Sequence, residues 1–456
     1  MNSEQHTGFG ARISQIYAAL LLGFGSIVLV LLFWIVIRGP SILERADNPR
    51  QITAELNIRR GQILDARDEP LATTREVEGG LERYYPSGEL TGPAVGYYSL
   101  RLGLSGVEAA YDEVLRGTED DVWRDYWQYE LLKIQRRGQD VRLTLDKRWQ
   151  EQASLLLGNE AGAVVLVTVP DADILAMASR PGYDPNRLET TFETLVQSEG
   201  APLLNRATQG QYLPGLSLQP FLLSVAADRD LVDLQQSPAP LVEAQESGQL
   251  SRECTAQLVE ETTWEQVLVS TCPEVSRELG EFLSLDGVRQ ALERFQLFSV
   301  PAVPIAAEST DSHELNELEK EALGRGSVAV SPLQMALAWV ALANDGMVPT
   351  PRLVGAIQSD EGGWQPNSIE PGASTAVSAQ TAGTIFDALP SRQGILELAT
   401  QVSTESSGVG PAWYLGMAPT VNPRFAVVAL LERQKGTEAV SKIGRELLLK
   451  LLNPES

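Results

Sequence analysis

The sequence predicts an α+β protein carried on an apolar N-terminal anchor, and three observations carry that expectation. The run 16–37, opening at Ile16 and closing at Ile37, holds 22 residues without a charge between Arg12 and Arg38, long enough to cross a bilayer. Two β-rich hairpin patterns lie far apart, at 161–179 and 412–432. A helical pattern adjoins each, at 147–157 before the first and 440–452 after the second. Together they predict one antiparallel sheet covered by the first and last helices of a large domain.

Taken in order, residues 1–15 form a short polar tail and 16–37 a membrane span whose partner is the lipid bilayer. A cleaved signal peptide is the competing reading. The apolar run is too long for one, and no small-x-small cleavage site follows it. Residues 39–57 read as a polar stalk. The stretch 60–72, RGQILDARDEPLA, reads as a strand at 62–64, a polar turn and a return strand. Residues 83–97 and 103–117 are glycine-punctuated, and 121–135 is aromatic-rich. A strand is expected at 141–146, then the helix 147–157 and the first hairpin, turning at 170–173. Residues 205–221, NRATQGQYLPGLSLQPF, read as an approach loop, a Pro214-Gly215 turn and the first turn of an apolar helix. Residues 262–279 carry helical spacing. The helix within 326–351 opens at Ser331-Pro332 and stops near 344–346.

Composition narrows the function classes. With 36 basic and 60 acidic residues the net charge is −24, which excludes nucleic acid and other polyanions held by general attraction. Two cysteines, Cys254 and Cys272, and two histidines, His6 and His313, supply neither a zinc-finger spacing nor a histidine triad. No metal or cofactor is expected. The cysteines are candidates for one disulfide, contributing about 2–4 kcal/mol in an oxidising compartment; two separate buried thiols are the alternative.

Two segments resemble the class B penicillin-binding proteins, the transpeptidases that crosslink peptidoglycan. Their nucleophile segment reads Tyr-x-Pro-Gly-Ser-x-x-Lys-Pro. The chain keeps Tyr212, Pro214, Gly215 and Pro220, but carries Leu216 for the serine and Gln219 for the lysine. Their pedestal signature reads Arg-Gly-x-Ile-x-Asp-Arg-x-Gly-x-x-Leu-Ala. Arg60, Gly61, Ile63, Asp65, Leu71 and Ala72 match it, and Gly106 and Glu108 fall in the Gly-Leu-Glu element that follows. The resemblance implies a β-rich pedestal at 41–140 and a transpeptidase-like domain at 141–456. It also implies a single-pass protein of a bacterial cytoplasmic membrane. Basic-residue counting around the span weakly favours an internal large domain; the resemblance places that domain outside and rests on more residues.

The family works through Ser-x-x-Lys, Ser-x-Asn and Lys-Thr-Gly or Lys-Ser-Gly. The chain contains none of the three, whatever the alignment. Aligned, the first motif falls at Leu216 and Gln219. The second falls at Thr271, Cys272 and Pro273, the third at Gln401, Val402, Ser403 and Thr404. Losing a nucleophile of this kind costs about 10⁴- to 10⁶-fold in rate. Replacing the last lysine removes a charge-assisted contact of about 1.5–3 kcal/mol. Ser217 stands one residue along, about 100° round a helix from Leu216, and its lysine would have to be residue 220, a proline.

The expectation is therefore a transpeptidase homologue without activity, acting as scaffold or regulator in cell-wall synthesis. The resemblance implies a membrane glycosyltransferase and other wall-synthesis proteins as partners, met through the pedestal. Two readings compete: a working D,D-transpeptidase with unconventional residues, and a sensor holding a wall fragment without turnover.

Overall fold

The computed structural model describes residues 5–34, 58–78, 80–117, 136–248, 262–269, 272–312, 315–359, 362–367, 374–402 and 408–453. The chain groups into two units, 1–58 with 76–82, and 59–75 with 83–456. In the first, helix α1 (Gln5–Leu32) contains Ser14–Leu32, long and apolar enough to cross a membrane. The expected tail at 1–15 is thus partly helical, because no proline or charge cluster interrupts residues 5–13. Residues 35–37 lie outside the described residues.

In the second unit, β1 (Ile63–Leu64) turns through Asp65 into β2 (Pro70–Val77). The Asp65 carboxylate makes that turn. Its Oδ1 accepts the amides of Arg67 and Glu69 at 2.7 and 2.8 Å, and its Oδ2 accepts the Lys147 amide at 3.1 Å. Strand β3 (Val141–Leu143) pairs parallel with β1. Helix α2 (Lys147–Leu157) starts on the Asp146 cap. Strands β4 (Gly162–Thr168) and β5 (Ile174–Arg180) form the first hairpin.

Helix α3 (Gln219–Asp228) follows a 3-10 turn at Gly215–Leu218. Helix α4 (Pro273–Arg294) changes direction at Ser284. The helix expected over 262–279 begins only at Pro273: residues 266–269 form a separate 3-10 turn, and a proline at the first helical position has no amide to donate backwards. Helix α5 (Pro332–Leu342) opens on the capping box of Ser331 and Gln334 and is buried along its whole length. It is apolar on every side, as a central helix must be.

Strands β6 (Val354–Gln358) and β7 (Trp364–Pro366) come next, then helix α6 (Ala379–Ala388). Strands β8 (Ser391–Arg392), β9 (Ile395–Gln401), β10 (Gly410–Ala418) and β11 (Phe425–Gln434) precede helix α7 (Glu438–Leu452).

The main sheet runs β8-β9-β10-β11-β4-β5 with every neighbour antiparallel. The early and late hairpins join where β4 pairs β11, Ala163 opposite Leu430. Both faces are covered. Val164 and Leu166 face α2 and α7, whereas Val165 and Val167 face the core that holds Phe221 of α3 and Trp339 of α5. That is why β4 reads as an unbroken apolar run: alternate residues point to opposite buried faces. The α+β architecture expected from the sequence is the one observed.

A second sheet contains the order β7-β6-β3-β1-β2, with a sixth strand, Gly80–Tyr84, at its edge. It mixes strands from before residue 142 with strands after 350, since β6 pairs with β3 at Ile357 and Val141.

Candidate functional site

Residues 205–221 are fixed from three sides before α3 begins. Tyr212 exchanges both backbone hydrogen bonds with Val330, at 3.0 and 2.9 Å. Its hydroxyl donates to Glu432 at 2.9 Å, and Arg206 donates to the same carboxylate oxygen at 2.6 Å. The Trp413 indole donates to the Leu213 carbonyl at 2.9 Å. Burial, and then the Glu432 charge, push the Tyr212 hydroxyl well above the usual tyrosine range. The phenol therefore stays a donor at any ordinary pH.

Gly215 takes φ +58°, and its amide donates to the Gly324 carbonyl at 3.0 Å. A Cβ at this position would lie 2.5 Å from Cγ2 of Val402. The head of α3 and the end of β9 are therefore in direct contact, across the glycine that precedes Leu216. Leu216 is 8% exposed and Val402 3%.

Ser217 is fully buried, and its hydroxyl donates to the Pro214 carbonyl at 2.6 Å. It lies in a 3-10 turn, not the α-helix expected from the sequence; the tighter winding follows from Pro220, whose missing amide removes the α-type bond back to Leu216. Gln219 is 1% exposed and donates to the Cys272 carbonyl at 3.3 Å. Cys272, at the cap of α4, is buried and disulfide-bonded. Gln401 turns its amide to the carbonyls of Gln434, at 2.9 Å, and Gly408, at 3.2 Å.

Four of the residues singled out in the sequence are thus drawn into two contacts: Gln219 meets Cys272, and Val402 meets Gly215. Thr271, Ser403, Thr404 and Cys254 lie outside the described residues.

The pedestal residues converge around one carboxylate. Glu108 is fully buried. It pairs with Arg60 at 3.1 Å and Arg83 at 2.6 Å, and accepts the Tyr85 hydroxyl at 3.2 Å. Arg60 also pairs with Asp112 at 2.6 Å. Burial alone would lower the Arg60 pKa; Glu108 and Asp112 more than offset it, and the value lies above the usual arginine range. Gly61 is required where the chain touches residue 139, since a Cβ there would sit 1.9 Å from the Gln139 carbonyl. Sequence reasoning found Arg60, Gly61 and Glu108 but missed Arg83, Tyr85 and Asp112. Their one signal, a basic residue before paired tyrosines at 83–85, does not name its partner 25 residues away.

A family model described as the penicillin binding protein transpeptidase domain matches residues 162–394, just over half of the chain. This chain belongs to the penicillin-binding protein transpeptidase family. A second model, the penicillin binding protein A dimerisation domain, matches residues 60–141. The transpeptidase match stops one residue before β9, the strand that carries Gln401.

Among relatives of this family, the peptidoglycan D,D-transpeptidases PbpA of Mycolicibacterium smegmatis and of Mycobacterium tuberculosis are each 28% identical, over 88% of this chain and 90% of theirs. The penicillin G acyl-enzyme complex of penicillin-binding protein A from M. tuberculosis superposes with a TM-score of 0.74 at 22% identity, covering 87% of this chain and 100% of that one. The D,D-transpeptidase domain of a peptidoglycan glycosyltransferase from Eggerthella lenta gives 0.71 at 25% identity, covering 87% and 99%.

Proposed function

We propose that this penicillin-binding protein is a transpeptidase homologue without catalytic activity, which serves peptidoglycan synthesis as a membrane-anchored scaffold or regulator. One observation carries the reading: Leu216, a side chain with no heteroatom, stands after the Pro-Gly turn at the head of α3, where the family's nucleophile segment has its serine. The environment agrees. Gln219 is buried against a backbone carbonyl, in place of a lysine that would accept the serine's proton. Val402 packs on Gly215, and Gln401 supplies an amide to β11 in place of a cation. The relatives' names supply the process, peptidoglycan D,D-transpeptidation; the side chains of this chain argue against its catalysing that step.

The experiment is covalent labelling of the full chain with a fluorescent penicillin, beside an active relative as control. No labelled band is expected at any time at which the control is saturated. Stoichiometric labelling of this chain would sink the reading and favour an enzyme with unconventional residues. Ser217 argues against that alternative, since its hydroxyl is buried and already donates to Pro214.

The anchor is α1, and the large domain lies outside a bacterial cytoplasmic membrane. A disulfide at Cys272 supports that side, because such bonds persist in oxidising compartments. This reading assigns Cys254, the one other cysteine of the sequence, as its partner. Alkylation under non-reducing conditions should leave both cysteines unmodified. The partners are wall-synthesis proteins, among them a membrane glycosyltransferase met through the pedestal. Affinity capture from membranes, with a known complex as control, should recover them; recovery of none while the control survives would count against the scaffold role.

A further inference from the structure

The far end of α3 opens onto a cavity that neither the fold nor the proposed role uses. Its volume is about 700 Å³, within the roughly 300–1,000 Å³ of small-molecule sites. The walls are built into the fold. Helix α3 ends in a Schellman turn: Asp230 takes φ +55°, and the amides of Asp230 and Leu231 donate to the carbonyls of Ala227 and Ala226 at 3.0 and 2.9 Å. Asp228 ties this turn to the start of α6. One of its oxygens accepts the Ser378 amide at 2.8 Å, and the other accepts Arg294 at 3.2 Å. Gln219 and Asp228 are the two ends of α3, about 14 Å apart at 1.5 Å per residue, so this cavity is separate from the Leu216 turn.

The lining selects a ligand by its hydrogen bonding. Ala227, Val232 and Leu234 supply an apolar strip. Asp228, Asp230 and Asp233 are the charged groups of the wall, and no lysine, arginine or histidine belongs to it. Phosphates, nucleotides and carboxylates are therefore excluded. The rest of the polar wall is neutral: Gln235, Ser378, Gln380, Thr381 and Thr384, groups that donate as well as accept. An ammonium only donates, so it would answer the carboxylates and leave the amide and hydroxyl donors without acceptors. An uncharged peptide carries one backbone donor per residue, too few for three carboxylates. A polyol does both with each hydroxyl. Its O–H donates to a carboxylate in a short charge-assisted bond, and its oxygen accepts from an amide. Among the described residues the side chains of Asp230 and Gln380 have no hydrogen-bond partner of their own, which leaves both open to a ligand.

We propose that this cavity binds an uncharged oligosaccharide, with the C–H faces of its rings on the apolar strip and its hydroxyls on Asp230, Asp233 and Gln380. The proposal does not rest on the inactivity of the Leu216 turn. Penicillin labelling would sink that reading and leave this one standing. Within the scaffold role, the site holds a glycan strand at the end of α3 remote from Leu216.

The test uses the full chain in phosphatidylcholine nanodiscs, titrated by calorimetry with N-acetylchitotetraose and with maltotetraose. Saturable binding of at least one of them below about 10 mM is expected. The double variant Asp230→Gly/Gln380→Ala changes two exposed side chains, and glycine keeps the positive φ of residue 230 open. It should weaken the binding about tenfold or more and melt as the parent does. Glu193→Gln, an exposed carboxylate elsewhere, should leave the affinity as it was. Trilysine, the probe for a cationic ligand, should fail to displace the sugar. No saturable heat with either sugar overturns the proposal, and so does an unchanged affinity in the double variant. Displacement of the sugar by trilysine also overturns it, in favour of a cation site.

Discussion

The Glu108 junction and the Leu216 turn belong to the same compact unit and treat buried polarity in opposite ways. At the junction, two arginines, a glutamate and a tyrosine hydroxyl are buried together and satisfy one another. At the turn the corresponding contacts are a leucine, a valine on a glycine, and two amides bonded to backbone carbonyls. A buried charge network is costly to assemble and is stable only while every member has its partner. The approach to the turn holds a charged group too, Arg206 and the Tyr212 hydroxyl on Glu432, but at the head of α3 itself the described contacts are apolar or neutral. A fold that had lost all use would have no reason to hold Glu108 dry between two guanidinium groups.

The largest effect should come from breaking the junction. Glu108→Ala leaves Arg60 and Arg83 buried without their shared carboxylate and should cost about 3–5 kcal/mol, read by urea unfolding of the full chain. A loss under about 1 kcal/mol would mean that water reaches the arginines, and the contrast between the two regions would fail.

At the turn, Leu216→Ser restores the hydroxyl but removes an apolar side chain that is almost wholly buried. The expected cost is about 2–4 kcal/mol, and the variant should still take up no penicillin, since neither Gln219 nor Gln401 can act as base or cation. Labelling of this single variant would show that the turn is one step from activity, and that the apolar setting matters less than the nucleophile.

These two sites also differ in how far the sequence disclosed them. Local signals were legible. Ser331-Pro332 marks the start of α5, where the structure adds the capping box with Gln334, and the helix expected at 147–157 falls where α2 lies, with Asp146 as the cap the structure adds. That the early and late hairpins share one antiparallel sheet was legible from their β-rich runs; that they join by pairing β4 with β11 was not. Long-range pairings were not legible: Arg83 and Asp112 reach partners 25 and 52 residues away, and nothing in either segment names the other. Helix α4 was placed too early because apolar periodicity continues through the 3-10 turn at 266–269, whereas its true start is set by Pro273. The contact of Val402 with Gly215 needed the sheet to be built first.

Alkaline pH should separate the regions by a smaller amount. Tyr183 donates to the Gly92 carbonyl at 3.1 Å and so ties the junction to the loop after β5. Burial, only partly offset by a hydrogen bond with Ser105, pushes its hydroxyl up to about 12. A raised folded pKa means that the stabilisation is complete below the unfolded value of 10.0 and is lost as pH rises towards 12. About 2 kcal/mol should disappear across that window. Tyr212, held by Glu432 at the turn, is raised further and should stay neutral there. Tyrosinate absorbance near 295 nm, compared between Tyr183→Phe and Tyr212→Phe, assigns the transition. If the Tyr212→Phe chain loses the pH 10–12 step instead, the two regions have been ranked the wrong way round.

The smallest effect is expected at Gln401, and it tests whether the end of β9 is inert or only unoccupied by charge. The glutamine side chain is half-buried and bridges to the carbonyls of Gln434 and Gly408. A lysine is long enough to reach the same two carbonyls, and its ammonium carries three donors for them. Gln401→Lys should therefore change stability by no more than about 0.5 kcal/mol, and the new cation should remain directed at β11. With Leu216 and Val402 still in place it should confer neither penicillin labelling nor binding of a peptide carboxylate, measured by calorimetry with a D-alanyl-D-alanine peptide. Binding of that peptide to Gln401→Lys, without labelling, would separate recognition from chemistry at this site and move the reading towards a sensor.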